Sequence, residues 1–267
     1  MPELPEVETA RLTLGPLVTD RRIERLEVAR PEALRSHGPP EAARIVAGRH
    51  ISGVDRRGKT LLFHLGGGWT LAFHYALWGV VLVRAAAAPE VSTAAQLVLD
   101  DGRMVEFREL QLSTLNLYRT ATLAEVPALA GLGPDPLDPA LTLARFRERL
   151  SGRGTVRSVL TDQSRLAGIG NLWALEILFA ARLRPGRAVQ TLSDEQWRRL
   201  HRATRSTLRR GIRAGGEPEF IDATGQRGRF RLAVYGRGGQ PCRVCGATIA
   251  TGRVGGRPAF WCPRCQR

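Results

Sequence analysis

Lysine is almost absent from this chain: of 40 Lys and Arg residues, only Lys59 is a lysine. The bias has taken even the adjacent Arg56 and Arg57. A position that stays lysine points to a need for a compact ammonium, which differs from a planar guanidinium in reach and acidity; chance survival is the competing explanation. Cysteine is absent from residues 1–241, which excludes a disulfide framework for the body of the chain. No apolar run approaches the roughly 20 residues that cross a bilayer, and the start is neither a signal nor a transit peptide. The expected location is the cytoplasm, nucleoid-associated if the cell is prokaryotic. Acidic residues are scarce as well: 25 against 40 basic ones leave a formal charge of +15. That excess favours a polyanionic partner, nucleic acid first, because phosphate neutralisation and counterion release dominate such affinity. An arginine-rich proteome would give the same composition.

What is present begins at the N-terminus, with Pro2-Glu3-Leu4-Pro5-Glu6-Val7-Glu8-Thr9. If Met1 is removed, which the small residue behind it permits, Pro2 becomes a terminal secondary amine. An α-amino group titrates near pH ~8, so a useful fraction is nucleophilic at neutral pH. Attack on an aldehyde carbon gives an iminium, an electron sink that acidifies the neighbouring C–H. Glu3 stands beside that chemistry as a general acid or base. Leu4, Val7, Ala10 and Leu14 recur at helical spacing, and prolines are tolerated in a first turn whose N–H groups lack partners. Taken alone, the same pattern is simply the start of a helix.

The 267 residues suit two modest domains or one large one. Residues 22–29 alternate as a strand, and residues 31–43, with Pro39-Pro40, read as a loop. From 51 to 107 the pattern is β, with runs at 60–65, 70–73, 80–83, 96–99 and 103–107. Gly66-Gly67-Gly68 and Asp101-Gly102 supply turns. Short strands closed by such turns suggest a sandwich or barrel. Prolines 127, 134, 136 and 139 mark a linker over 127–142. Helical periodicity returns at 143–150, 156–160, 172–181 and 193–210, the last opening with a Ser193–Gln196 capping box.

Three constellations carry chemistry. Cys242-x2-Cys245 and Cys262-x2-Cys265 form two knuckles of a four-thiolate tetrahedral zinc site on a hairpin, closed and therefore structural; a redox dithiol is the competitor. Arg253 and Arg257 lie between the knuckles and suit a phosphate. In Asp162-Gln163-Ser164-Arg165-Leu166-Ala167-Gly168-Ile169-Gly170-Asn171-Leu172 one helix ends, two glycine-punctuated turns follow, and another helix begins. Exposed N–H groups at that start make a phosphate cradle, against simple helix packing without a ligand. Finally, Arg57-Gly58-Lys59-Thr60 opens a strand and presents the sole lysine to a phosphate or a leaving atom, or else to solvent at a turn.

Together these residues resemble the formamidopyrimidine-DNA glycosylase/endonuclease VIII family of base-excision repair enzymes, four spaced motifs appearing in the family's order. The resemblance implies an α+β, multidomain chain: an N-terminal β-sandwich with flanking helices (1–126), the linker, a helical helix-two-turn-helix domain (143–230) and a zinc-finger β-hairpin (231–267). It implies a monomer without membrane association that grips double-stranded damaged DNA and flips the lesion out of the stack. Pro2 matches the nucleophile at the deoxyribose C1′, Glu3 its acid/base partner, and Lys59 a catalytic position. Lys59, His74, Asn171 and Arg257 match phosphate-binding positions; Glu6 and Glu176 match acidic positions near the active site. One structural zinc is implied on Cys242, Cys245, Cys262 and Cys265.

Departures from the family pattern bear on the lesion. Formamidopyrimidine-type members carry His-Leu-Gly-Met-Ser-Gly where this chain has His74-Tyr75-Ala76-Leu77-Trp78-Gly79. They carry Asp-Pro-Arg-Arg-Phe-Gly where it has Glu109-Leu110-Gln111-Leu112-Ser113-Thr114. The arginine and phenylalanine that fill the vacated stack are missing. Leu77 and Trp78 resemble the contiguous wedge of endonuclease VIII, and the lesion-covering loop over 215–230 looks shortened. Oxidised pyrimidines are therefore expected ahead of formamidopyrimidines and 8-oxoguanine. The rival from another class is a DNA-damage-binding protein on the same scaffold without repair chemistry.

Overall fold

The computed structural model describes residues 2–76, 79–87, 91–108 and 113–267. They fall into two compact units: Met1–Ala130 with Pro218–Arg229, and Gly131–Glu217 with Phe230–Arg267.

The first unit opens with helix α1 (Leu4–Val18), whose buried stripe Leu4, Val7, Ala10, Leu14 and Val18 follows the spacing read from sequence. Then come β1 (Ile23–Val28), α2 (Pro39–Val46), β2 (Ile51–Arg57), β3 (Thr60–Leu65), β4 (Trp69–His74), β5 (Val80–Ala85), β6 (Thr93–Leu99), β7 (Arg103–Arg108), β8 (Thr114–Arg119) and α3 (Pro127–Ala130). The strands make two four-stranded antiparallel sheets, ordered β1-β6-β7-β5 and β2-β3-β4-β8. Ile23, Leu97, Val105 and Phe107 of one sheet share a core with Leu61, Phe63, Leu71, Phe73, Leu115 and Leu117 of the other. Phe107 meets Phe73 and Phe63 at ring-centroid distances of 5.2 and 5.9 Å. This is the expected sandwich, closed by side chains that alternate inward from both sheets.

Three features differ from the sequence reading. Residues 39–46 are helical, so the loop expected over 31–43 stops short at Gly38, because Pro39 and Pro40 occupy first-turn positions where a missing N–H costs nothing. The stretch expected to be linker begins with α3, and the boundary between the units falls after Ala130. Residues 218–229 belong to the first unit, not to the helical one. Phe220 and Ala223 are buried in its core. The Val83 N–H donates to the Ala223 carbonyl at 2.8 Å, and Ala223 N–H donates to the Thr13 hydroxyl at 3.3 Å. This excursion carries no periodicity for a sequence pattern to reveal; two apolar side chains and a few backbone bonds hold it.

The second unit contains α4 (Leu143–Leu150), α5 (Val156–Thr161), α6 (Asn171–Ala180), α7 (Asp194–Arg213) and the hairpin β9 (Ala250–Val254)–β10 (Arg257–Trp261). Thr142, Thr155 and Ser193 cap α4, α5 and α7 through their hydroxyls. Residues 172–178 of α6 are all buried, so it is the core helix around which the others pack. No helix among the described residues is long and apolar enough to cross a membrane.

Helix α7 packs tightly on α6. A Cβ built on Gly211 would lie 2.2 Å from the Trp173 ring, which is fully buried. Glycine inside a helix normally costs about 1 kcal/mol relative to alanine. Here the sign reverses, and Gly211→Ala is expected to destabilise the unit by about 1–3 kcal/mol through overpacking. Thermal or urea unfolding measures it; a stabilised variant would contradict the close packing.

Candidate active site and nucleic-acid contacts

Pro2 and Glu3 precede α1 and both are buried, Glu3 being only 2% exposed. The Glu6 carboxylate, itself buried, accepts the Glu3 N–H at 2.9 Å. It thereby satisfies a donor that the helix start leaves without an intrahelical partner. Pro2 and the two acids Glu3 and Glu6 are thus gathered in one buried turn.

Lys59 stands at the β2–β3 turn, where Gly58 takes φ +58, a conformation that favours glycine. The Lys59 carbonyl accepts the Tyr75 N–H at 3.0 Å. Arg56, with a side chain 7% exposed, donates from Nη1 to the Gly58 carbonyl at 3.1 Å and from Nε to Glu8 Oε2 at 3.0 Å. Glu8 lies on α1, so one guanidinium ties the helix behind Pro2 to the turn that carries Lys59. Burial works against the Glu8 charge, but Arg11 and Arg56 outweigh it and hold its carboxyl below the usual carboxylate range.

His74 ends β4 opposite Thr60 and Thr114 in the register, its Nδ1 2.9 Å from the Thr60 hydroxyl. Desolvation and the charge of Lys59 push its pKa below the ordinary imidazole value. At neutral pH the ring is therefore a neutral hydrogen-bonding group, not a cation. Leu77 and Trp78, expected as the wedge, lie outside the described residues, as do Glu109 to Leu112. On their flanks, Ala76 N–H donates to Ser113 Oγ at 2.9 Å, and a Cβ on Gly79 would lie 2.7 Å from the same oxygen. Ser113 is a buried clasp for the 74–79 loop that the sequence reading missed; its only signal was its place in a motif that departs from the family pattern.

In the second unit Asn171 opens α6. Its Oδ1 accepts from Arg157 Nη1 at 3.2 Å and its Nδ2 donates to the Pro258 carbonyl at 3.0 Å. Arg157 Nη2 also donates to the Val254 carbonyl at 2.7 Å, beside the turn in which Gly255 and Gly256 take φ +54 and +75. Burial and the charge of Arg257 draw the Arg157 pKa down. Arg157 therefore gathers Asn171 and the hairpin tip that carries Arg257 into one cationic patch. It too went unforeseen, because the burial of its guanidinium is set by packing and leaves no mark in the sequence. Arg253 is spent within the turn, donating to the Gly256 carbonyl at 2.5 Å. Gln163 braces the double turn before Asn171, accepting the Gly168 N–H at 2.8 Å and donating to the Ile169 carbonyl at 2.7 Å.

Glu176, expected near the active site, accepts the N–H groups of Ala233, Val234 and Tyr235 at 2.8, 2.9 and 2.9 Å. Burial nonetheless pushes its pKa up. These bonds bolt α6 to the strand of chain entering the zinc hairpin. The four cysteine sulfurs all lie within 4.8 Å of one another, with Cys242–Cys265 at 4.0 Å and Cys245–Cys262 at 3.4 Å. A tetrahedron with Zn–S bonds of about 2.3 Å requires about 3.8 Å between sulfurs. The set therefore fits one structural zinc held by Cys242, Cys245, Cys262 and Cys265, with no open position.

Glu8→Gln keeps the shape at the α1–Arg56 contact but removes the charge. A depressed folded-state pKa contributes stability above the unfolded value near 4.5 and loses it as pH falls through the folded one. The variant is expected to be about 1–2 kcal/mol less stable at pH 7, with the gap closing in acid, below the unfolded value, as the wild-type carboxyl protonates. Denaturant unfolding at pH 7 and in acid checks the sign.

Three families match in order along the chain: the formamidopyrimidine-DNA glycosylase N-terminal domain over residues 1–113, its H2TH domain over 132–220, and the zinc finger found in FPG and IleRS over 239–267. A formamidopyrimidine-DNA glycosylase of Desulfitobacterium hafniense is 38% identical over 272 residues, covering 100% of both chains. The crystal structure of the MutM (Fpg) protein of Thermus thermophilus is 38% identical, has a TM-score of 0.88, and covers 99% of this chain and 98% of its own. The Lactococcus lactis Fpg in complex with oxidised-pyrimidine DNA is 29% identical, with a TM-score of 0.91 and 100% of both chains covered. Similarity of this extent, in sequence, in domain order and in fold, places the chain in the formamidopyrimidine-DNA glycosylase family.

Proposed function

We propose that this chain is a bifunctional DNA glycosylase/AP lyase of base-excision repair whose attacking atom is the imino nitrogen of Pro2. The nitrogen lone pair forms a bond to C1′ of the damaged deoxyribonucleotide. The glycosidic C1′–N bond breaks, and the base leaves with a proton. The proline nitrogen gives up its proton and the C1′–O4′ ring bond opens, O4′ taking up a proton, to leave a C1′ iminium. That iminium withdraws electrons, so that a C2′ proton is lost and the 3′ phosphate departs; a second elimination releases the 5′ phosphate. Glu3 supplies and removes protons beside the amine, with Glu6 holding the Glu3 backbone in place. Lys59 and a neutral His74 take phosphate oxygens on one unit, as Asn171 and Arg257 do on the other. The observation that carries this reading is the pairing of a buried Pro2-Glu3 start with the sole lysine on a turn fastened to the same helix.

Damaged duplex DNA is the partner, as the relatives' complexes support. For the lesion, oxidised pyrimidines come ahead of oxidised purines, on the missing arginine and phenylalanine of residues 109–114 and the Leu77-Trp78 pair. The names of the relatives favour the opposite order, formamidopyrimidines first.

Borohydride reduction with abasic-site DNA tests the mechanism. A covalent adduct mapping to Pro2 is expected, and both the adduct and strand scission should vanish when Met1 is retained, with DNA affinity preserved. A capped protein that still cuts would overturn the role of Pro2, and tight binding with no adduct from the uncapped protein would favour the non-catalytic rival. The same trap on dihydrouracil, formamidopyrimidine and 8-oxoguanine duplexes ranks the lesions, with dihydrouracil expected first.

A further inference from the structure

The second unit carries a cavity that takes no part in the chemistry above. Its volume is about 680 Å³, and Arg182, Arg199, Arg264 and Arg267 line it together with Phe179, Val244 and two of the zinc ligands, Cys245 and Cys265. None of the four arginines pairs with a carboxylate among the described residues, and the four-thiolate zinc site, net −2 when loaded, offsets only part of their +4. Arg199 belongs to α7, where the nearby Glu195 is taken by Arg198 and Arg202 at 3.4 and 3.6 Å. The Arg199 Nε is buried and has no hydrogen-bond acceptor, a donor left unsatisfied until an acceptor arrives. Arg182 takes φ +57 at the end of α6, where the Leu183 N–H returns to the Leu178 carbonyl at 2.9 Å. That position is usually glycine's. An arginine held there at a conformational cost is consistent with a task for its side chain.

The cavity is also apolar. Val244, on the first zinc knuckle, is 70% exposed, one of the few large hydrophobic side chains so open among the described residues. Cationic forks around an apolar floor match a chain that alternates carboxylates with aliphatic side chains, since guanidinium binds carboxylate in a planar, two-bond geometry. A nucleic-acid backbone would leave the apolar floor unused. The phosphate-facing Asn171 starts α6, whereas Phe179 and Ala180 end it, a separation on the order of 13 Å along the axis at 1.5 Å per residue. We propose that this cavity docks an acidic, leucine-rich segment of a partner protein, at the end of α6 away from the DNA contacts, so that partner and DNA are held together.

The probe is a fluorescein-labelled peptide of alternating glutamate and leucine, titrated by anisotropy into the full-length zinc-loaded protein. Saturable binding is expected, weakened at least about tenfold (1.4 kcal/mol) by Arg199→Gln and by Arg264→Glu separately. Abasic-duplex affinity and zinc content should be unchanged in both variants, which shows that each is folded. A saturating abasic duplex should leave the peptide bound. Four results would each overturn the proposal: equal binding of a glutamine–leucine peptide, equal binding by both variants, displacement of the peptide by duplex DNA, or a glutamate–serine peptide binding as well as the glutamate–leucine one. The last would reduce the cavity to a general anion site. Because every readout is binding, failure here leaves the excision chemistry untouched.

Discussion

A single guanidinium carries the constraint on which the catalytic half depends. Chain ends fray, since their last residues have few contacts to set against the entropy of ordering. A chain start that holds Pro2 and Glu3 buried must defeat that tendency. Here the buried stripe of α1 supplies the bulk of the anchoring, but a helix can still rotate or slide on a greasy face. Arg56 removes that freedom by binding Glu8 of α1 and the Gly58 carbonyl together. With a side chain only 7% exposed, it is screened little by solvent, and loss of either partner would leave a poorly hydrated charge. The lysine turn and the N-terminal helix therefore hold one register.

The second unit answers a different difficulty with the same means. The zinc hairpin is too small to own a core; Val234, Ile249, Ala259 and two of the cysteines cluster with Leu175 of α6. Zinc closes the knuckles, but the hairpin tip still has to be aimed. Buried charges do this. Glu176 gathers three consecutive N–H groups where the chain enters the module, and Arg157 takes the Val254 carbonyl beside the tip. Each is a charged group whose hydrogen bonds are short, strong and more directional than apolar contact. Because Arg157 also orients the Asn171 amide, helix start and hairpin are set by one side chain. The Glu8–Arg56 link has the same logic: buried ions serve as brackets between elements that hydrophobic packing alone would leave adjustable.

Much of this was legible from one sequence. The helix stripe of α1, the strands up to β7, the helices of the second unit and the cysteine spacing each rest on local periodicity or on fixed ligand geometry, which a linear pattern records; β8, beyond the expected β region of 51–107, went unforeseen. The family order of motifs named the reaction. What escaped was of two kinds. Pro39 and Pro40 were read as loop because proline's exclusion from helices does not extend to the first turn. Ser113, Arg157 and the return of residues 218–229 to the first unit escaped because each acts on a neighbour far along the chain.

The sequence by itself determined the chemistry available: a potential imino terminus with an acid beside it, one lysine, four thiolates and a large cationic excess. Those are properties of residue types and short spacings. Only the tertiary structure decided which charges are buried and therefore what they do. Arg56, Arg157 and Glu176 look like any other charged residues in the chain, yet folding excludes water from them and makes their few hydrogen bonds decisive. Arg182, Arg199 and Arg264 are equally anonymous until α6, α7 and the zinc knuckle bring them around one cavity. Dielectric environment and long-range proximity are set by packing, and no linear pattern encodes them.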